Sequence, residues 1–121
     1  MSNNQLVKYV VKAADDKRAE DIITLDMKGV SYIADYFVIC EGTNERQVQA
    51  IARGIKEEVE KHGGEVKRME GFEQARWILI DIGDVVCHVF HQEDRHYYNL
   101  ERLWGDAPIV EIDIEDVEDS Q

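Results

Sequence analysis

The chain is poor in what would make it a linker, a secreted scaffold or a nucleic-acid binder. It has a single proline and 8 glycines in 121 residues, which leaves no room for a long linker or a low-complexity region. There are 2 cysteines, Cys40 and Cys87, each inside an apolar run, so they read as buried thiols of a reducing compartment and not as a disulfide framework. No run of Lys or Arg exceeds two, and Lys67-Arg68 is the densest spot. No stretch approaches the ~20 apolar residues of a membrane span, and the first twelve residues lack the charged head and apolar run of a secretory signal. The expectation is a cytoplasmic protein with no membrane contact.

What is present is acid. Asp and Glu number 26 against 14 Lys and Arg, a net charge of -12. With 44% hydrophobic residues the composition is still that of a globular domain, so the charge does not imply disorder. Its length suits one domain of ~100–150 residues. An acidic average surface repels phosphate backbones and attracts basic partners, whose encounter it accelerates. Direct, sequence-specific nucleic-acid binding is not expected.

Apolar periodicity divides the chain. Leu6, Val7, Val10, Val11 and Ala14 form a helical stripe over residues 5–17. Residues 22–27 read as a strand, and Lys28-Gly29 as a turn. Tyr36 to Cys40 is a continuous apolar run, as in a strand buried on both faces. A second helix is expected after Gly42, capped by Asn44 or Thr43, with Val48, Ile51, Ala52, Ile55 and Val59 on one side and His62-Gly63-Gly64 at its end. Residues 65–69 suit a short strand. Trp77 to Ile82 and Val85 to Phe90 are the strongest strand signals, joined by Gly83-Asp84. A last helix is expected from Gln92 to Trp104, ended by Gly105 to Pro108. Residues 109–121 alternate apolar and acidic side chains, as an edge strand or an acidic tail. The order of elements predicts a single α/β domain over 1–108, with a mixed β-sheet and helices packed mainly on one face, followed by an acidic C-terminal tail over 109–121.

A two-residue turn at Gly83-Asp84 fixes a hairpin register. It pairs Ile82 with Val85, Ile80 with Cys87 and Ile78 with Val89, six apolar residues on the face under the helices. The other face pairs Asp81 with Val86, Leu79 with His88 and Trp77 with Phe90. Two large aromatics, a Leu, a His and a carboxylate in one band have the composition of a protein-binding patch. The alternative is that the first helix or the tail covers the band. Tyr98 lies about 200° around the last helix from Leu100, away from the apolar stripe, at ~100° per residue.

Enzyme and metal readings fit less well. Asp81 and Asp84 are three apart with a turn between them, so they do not project together as a metal-binding pair. Gly42-Thr43 is a faint echo of a nucleotidyltransferase helix start, and Asp113-Ile114-Glu115 has suitable spacing but sits in the tail. Cys87 and His88 alternate to opposite sheet faces, and no C-x-x-C or H-x-x-x-H occurs, so neither a metal nor a cofactor is expected.

Four spaced blocks carry a resemblance: Ala34-Asp35-Tyr36-Phe37-Val38-Ile39-Cys40-Glu41-Gly42-Thr43; Gly71 to Trp77; Asp81-Ile82-Gly83-Asp84-Val85-Val86-Cys87-His88-Val89-Phe90; and Tyr97-Tyr98-Asn99-Leu100-Glu101-Arg102-Leu103-Trp104. Together they resemble the ribosomal silencing factor, or Iojap, family over about Leu6 to Trp104. The resemblance implies a nucleotidyltransferase-like α/β fold without catalytic acids. It implies a non-enzymatic translational repressor that docks on the fourteenth large-subunit ribosomal protein near the intersubunit face. From there it hinders small-subunit joining when nutrients are short. It also implies a homodimer when free. The matching docking positions are Trp77, Asp81, His88 and Tyr98, and hairpin register adds Leu79.

Overall fold

A computed structural model describes residues 2–98 and 105–112, the side chains of 96–98 excepted. Helix α1 spans Asn3–Asp16, two residues earlier than the apolar stripe, because Ser2 caps it by accepting a hydrogen bond from Gln5 N. The first turn is polar, so periodicity does not reveal it. Strand β1 (Glu20–Asp26) and strand β2 (Tyr36–Gly42) follow. Helix α2 (Glu45–Lys61) takes Asn44 as its cap, with Asn44 Oδ1 accepting from Gln47 N at 2.8 Å. Its five expected apolar positions are all fully buried. Gly63, at φ +86°, closes it in the left-handed conformation, and Gly64 N donates to Val59 O.

Strands β3 (Arg68–Glu70), β4 (Trp77–Asp81) and β5 (Val85–His91) precede helix α3 (Gln92–Tyr98). The helix expected to reach Trp104 is observed to Tyr98, and 99–104 lie outside the described residues. Strand β6 (Ile109–Val110) pairs with β1, so the start of the presumed tail is an edge strand; 113–121 lie outside the described residues.

The six strands run in the order β3-β4-β5-β2-β1-β6. Among the described residues only β2 and β5 pair in parallel, and the remaining pairs are antiparallel. The chain leaves β2, crosses through α2, makes the edge strand β3 and its neighbour β4, and returns to insert β5 between β4 and β2. The central strands β2 and β5 are buried along their full length. One sheet face packs on α1 and α2 around Val38, Cys40, Ile78, Ile80, Val85, Cys87 and Val89. The other carries a smaller cluster, with Phe37, Ile39, Val86 and Phe90 packed among Leu25, Met27, Ala34 and Ala107.

The sheet margin as a candidate interface

The candidate site grows from the β4–β5 hairpin. Gly83 has φ +94°, a value open to glycine at little cost, and Ile82 N donates to Val85 O at 2.9 Å across the turn. Asp81 Oδ1 accepts from Gly83 N at 2.9 Å, so this carboxylate first serves the turn. The resulting register is the expected one: Trp77 opposite Phe90, Leu79 opposite His88, Asp81 opposite Val86.

The band divides by strand. On β5, Val86, His88 and Phe90 are buried, His88 being only 5% exposed. On β4, Trp77, Leu79 and Asp81 are half-buried. On β3, the cross-strand partners Arg68 and Glu70 are exposed and pair with each other at 2.8 Å. A half-buried aromatic and aliphatic column is thus rimmed by charge on the margin side and backed by a buried row. Helix α1 does not cover it, since α1 packs on the opposite face.

The indole of Trp77 is held by Phe90 and His88. It stacks on Phe90 with centroids 5.1 Å apart, lies 5.9 Å from the His88 ring, and donates from Nε1 to His88 Nδ1 at 3.1 Å. His88 in turn meets Phe37 edge-on at 4.7 Å. Burial pushes the His88 pKa down to about 4, so the ring is neutral at pH 7 and its Nδ1 can accept. The proton then sits on Nε2, which is buried with no hydrogen-bond partner among the described residues. His88 therefore acts from beneath, orienting Trp77.

The approach to Trp77 is fixed too. Gly71 has φ +81°, and a Cβ there would collide with the Trp77 carbonyl oxygen. Arg76 binds Asp94 through Nε and a second nitrogen, at 2.9 and 3.0 Å, and reaches Glu93 at 3.1 Å, tying the start of β4 to α3. Arg95, buried, donates to Asp21 O at 2.6 Å and to Glu41 Oε1 at 3.2 Å, pinning α3 to the ends of β1 and β2. Burial raises the Glu41 pKa, and the Arg95 charge opposes that rise. Sequence reasoning found neither the Arg76 nor the Arg95 contacts, because their partners are distant in the chain. The residue order around Gly71 carried a hint, since glycine before a strand often marks close backbone approach. Tyr98 is the last described residue of α3, and its side chain lies outside those described.

The features that raised other readings are occupied structurally. Gln47 fills the start of α2: its Oε1 accepts from Thr43 N at 2.7 Å and its Nε2 donates to Arg18 O at 2.9 Å. A Cβ on Gly42 would meet Val48 at 3.0 Å, which accounts for that glycine by packing. Cys87 is fully buried on the helix side, while His91 Nδ1 accepts from Glu93 N at the start of α3. Among the described residues no three His, Cys, Asp or Glu side chains are grouped to hold a metal ion. Nor is any described helix long and apolar enough to cross a membrane.

A single α/β domain with a mixed sheet, two helices on one face and an aromatic margin on the other is the architecture in hand. The family profile described as "Ribosomal silencing factor during starvation" matches residues 1–121. The Bacillus subtilis protein named ribosomal silencing factor RsfS is 58% identical over 113 residues, spanning 93% of this chain and 96% of that one. The chloroplastic protein Iojap of Arabidopsis thaliana is 35% identical over 107 residues, covering 88% of this chain and 44% of that one. A crystal structure of a Bacillus halodurans protein superposes with a TM-score of 0.82 at 55% identity, over 91% of this chain and 100% of that one. The chain belongs to the ribosomal silencing factor family.

Proposed function

We propose that this protein represses translation without chemistry, by docking on the large ribosomal subunit and standing where the small subunit must join. The partner is a basic large-subunit ribosomal protein, the fourteenth, near the intersubunit face. Repression serves nutrient limitation, in the cytoplasm. The observation that carries the reading is the half-buried column Trp77, Leu79 and Asp81, backed by buried His88 and rimmed by charge. An oriented indole at the centre of a patch with a polar rim is the usual anatomy of a binding hot spot. Trp77 is the apolar anchor, Leu79 extends it, and the second carboxylate oxygen of Asp81 receives a Lys or Arg of the partner. Tyr98, beyond the Arg76 and Arg95 clamps on α3, adds an aromatic contact. A net charge of -12 favours a cationic partner over an RNA backbone.

An interface of standard size buries ~1,200–2,000 Å² in total, enough to exclude a second large body by volume alone. Free protein is expected to be a homodimer. The organisation is one domain whose sheet includes β6, followed by an acidic segment. The test is subunit joining followed by light scattering: large subunits preloaded with the protein should fail to combine with small subunits, in proportion to occupancy. Unimpeded joining by saturated large subunits contradicts occlusion.

A further inference from the structure

The sheet margin leaves one conspicuous apolar surface unused. Between β1 and β2 the chain makes a loop, residues 27–35, whose tip exposes Val30, Tyr32 and Ile33; Tyr32 is 109% exposed and Ile33 83%, relative to a reference side chain. The loop is built, not slack. Met27 N donates to Asp35 O at 2.7 Å and closes its base, while Val30 N and Ser31 N both donate to Met27 O. Ile33 N donates to Ser31 Oγ at 3.0 Å. Lys28 Nζ donates to Tyr36 Oη at 2.8 Å and lies 4.3 Å from that ring centroid. Met27 and Ala34, at the two feet of the loop, are buried in the core cluster of the Trp77 face. Two large apolar side chains held out in water on an ordered loop are costly to solvate, and such a patch on a soluble domain marks a contact.

The chemistry around the tip selects its partner. Asp35 and Asp84 stand together, both within reach of Asn3 Nδ2, at 2.8 and 3.3 Å. Asp26, just before the loop, lies 3.5 Å from Lys28, the one cation of the loop. A second copy of the chain docking here by two-fold symmetry would bring these carboxylates of both copies to one interface, on molecules already carrying -12 each. A basic protein surface has the opposite sign.

Position ties the loop to the anchor. Asp35 N donates to Asp84 O at 2.7 Å, so the loop abuts the β4–β5 turn. Trp77 begins β4 and Gly83 opens that turn, six residues on, or ~20 Å along a strand. Both points fit within one footprint of ~800 Å² per partner, or touch two adjacent basic surfaces.

We propose that the β1–β2 loop is a second docking prong, in which Tyr32 and Ile33, on a loop with Asp26, Asp35 and Asp84 near its base, seat against a basic protein surface of the large ribosomal subunit. This rests on the docking reading above and adds a contact to it. Its test is the double variant Tyr32→Ser/Ile33→Ser, titrated against purified large subunits beside the parent and Trp77→Ala, with sedimentation of each free protein. Both substituted side chains point into solvent, so the melting temperature should stay at the parent value. The prong predicts about tenfold weaker binding for the double variant, with self-association unchanged. Parent-like binding by the double variant, while Trp77→Ala binds weakly, overturns the prong and leaves the docking reading standing. Parent-like binding by both variants, or no binding by the parent itself, overturns both. Loss of self-association with retained subunit binding makes the occupant a second copy, and the prong on the ribosome is then wrong.

Discussion

Trp77 places its indole N–H on Nδ1 of His88, 3.1 Å away and diagonal to it across the β4–β5 pair. Diagonal neighbours in an antiparallel pair are ~7–8 Å apart at the backbone, within reach of long aromatic side chains. The bond makes a half-buried aromatic depend on the protonation state of a buried one. Neutral His88 accepts from Trp77, and an imidazolium, with hydrogens on both nitrogens, cannot.

That dependence sets a pH response. The folded His88 pKa is held down to about 4 by burial, below the ordinary 6.5. Between those values the unfolded chain binds a proton that the folded chain refuses. Stability therefore falls as pH drops from ~6.5 to ~4, and this contribution is constant below ~4. The loss from this one group is roughly 3 kcal/mol at most. Urea unfolding of the parent and of His88→Leu at pH 7 and pH 5 checks it: the parent should lose more stability on acidification than the variant.

Gly71 predicts a cost for the smallest side chain. Its positive φ and the Trp77 carbonyl oxygen leave no space for a Cβ. Gly71→Ala should destabilise the fold by ~2 kcal/mol or more and loosen the entry to β4. Denaturant midpoints measure the first effect. Gly29→Ala is the control, because nothing lies within 4 Å of a Cβ there.

Arg95 and Glu41 form a buried pair 3.2 Å apart, both under a tenth exposed. Arg95→Met strands the Glu41 carboxylate in a site that already disfavours its charge, a loss of ~3–5 kcal/mol. Arg95→Met/Glu41→Leu should recover part of that loss, since both charges are then absent. A thermal-denaturation cycle of the four proteins reads the coupling.

Both thiols should be inert in the folded protein. Burial pushes the Cys40 pKa up to about 12 and raises that of Cys87 well above the usual thiol range. Neither should react with a thiol reagent at pH 8 in the native state, and both should react in denaturant.

How much of this was legible beforehand follows from what alternation can report. Gly83-Asp84 between two alternating runs dictated the hairpin register, and every pairing from Trp77–Phe90 to Asp81–Val86 is as expected. The stripes of α1 and α2 likewise named buried residues correctly, because a 3.6-residue period sees only the core. Alternation assigns a residue to a face and says nothing about what covers that face. His88 therefore read as a surface contact, yet it is buried beneath Trp77. The insertion of β5 beside β2, and the grip of Arg95 on Glu41, depend on residues about fifty positions apart and leave no local signature. The sequence pattern marks a turn at Lys28-Gly29 and carries no reading of Tyr32 and Ile33, since exposure of an apolar side chain is a tertiary property.

The central claim is that the protein grips the large subunit through the Trp77 margin, and affinity tests it most directly. Purified large subunits should be titrated with the parent and with Trp77→Ala. Removing a central indole commonly costs at least ~2 kcal/mol, so the account predicts a roughly 30-fold weaker Kd for the variant, with its fold intact by circular dichroism. Equal affinity for the two proteins would contradict it.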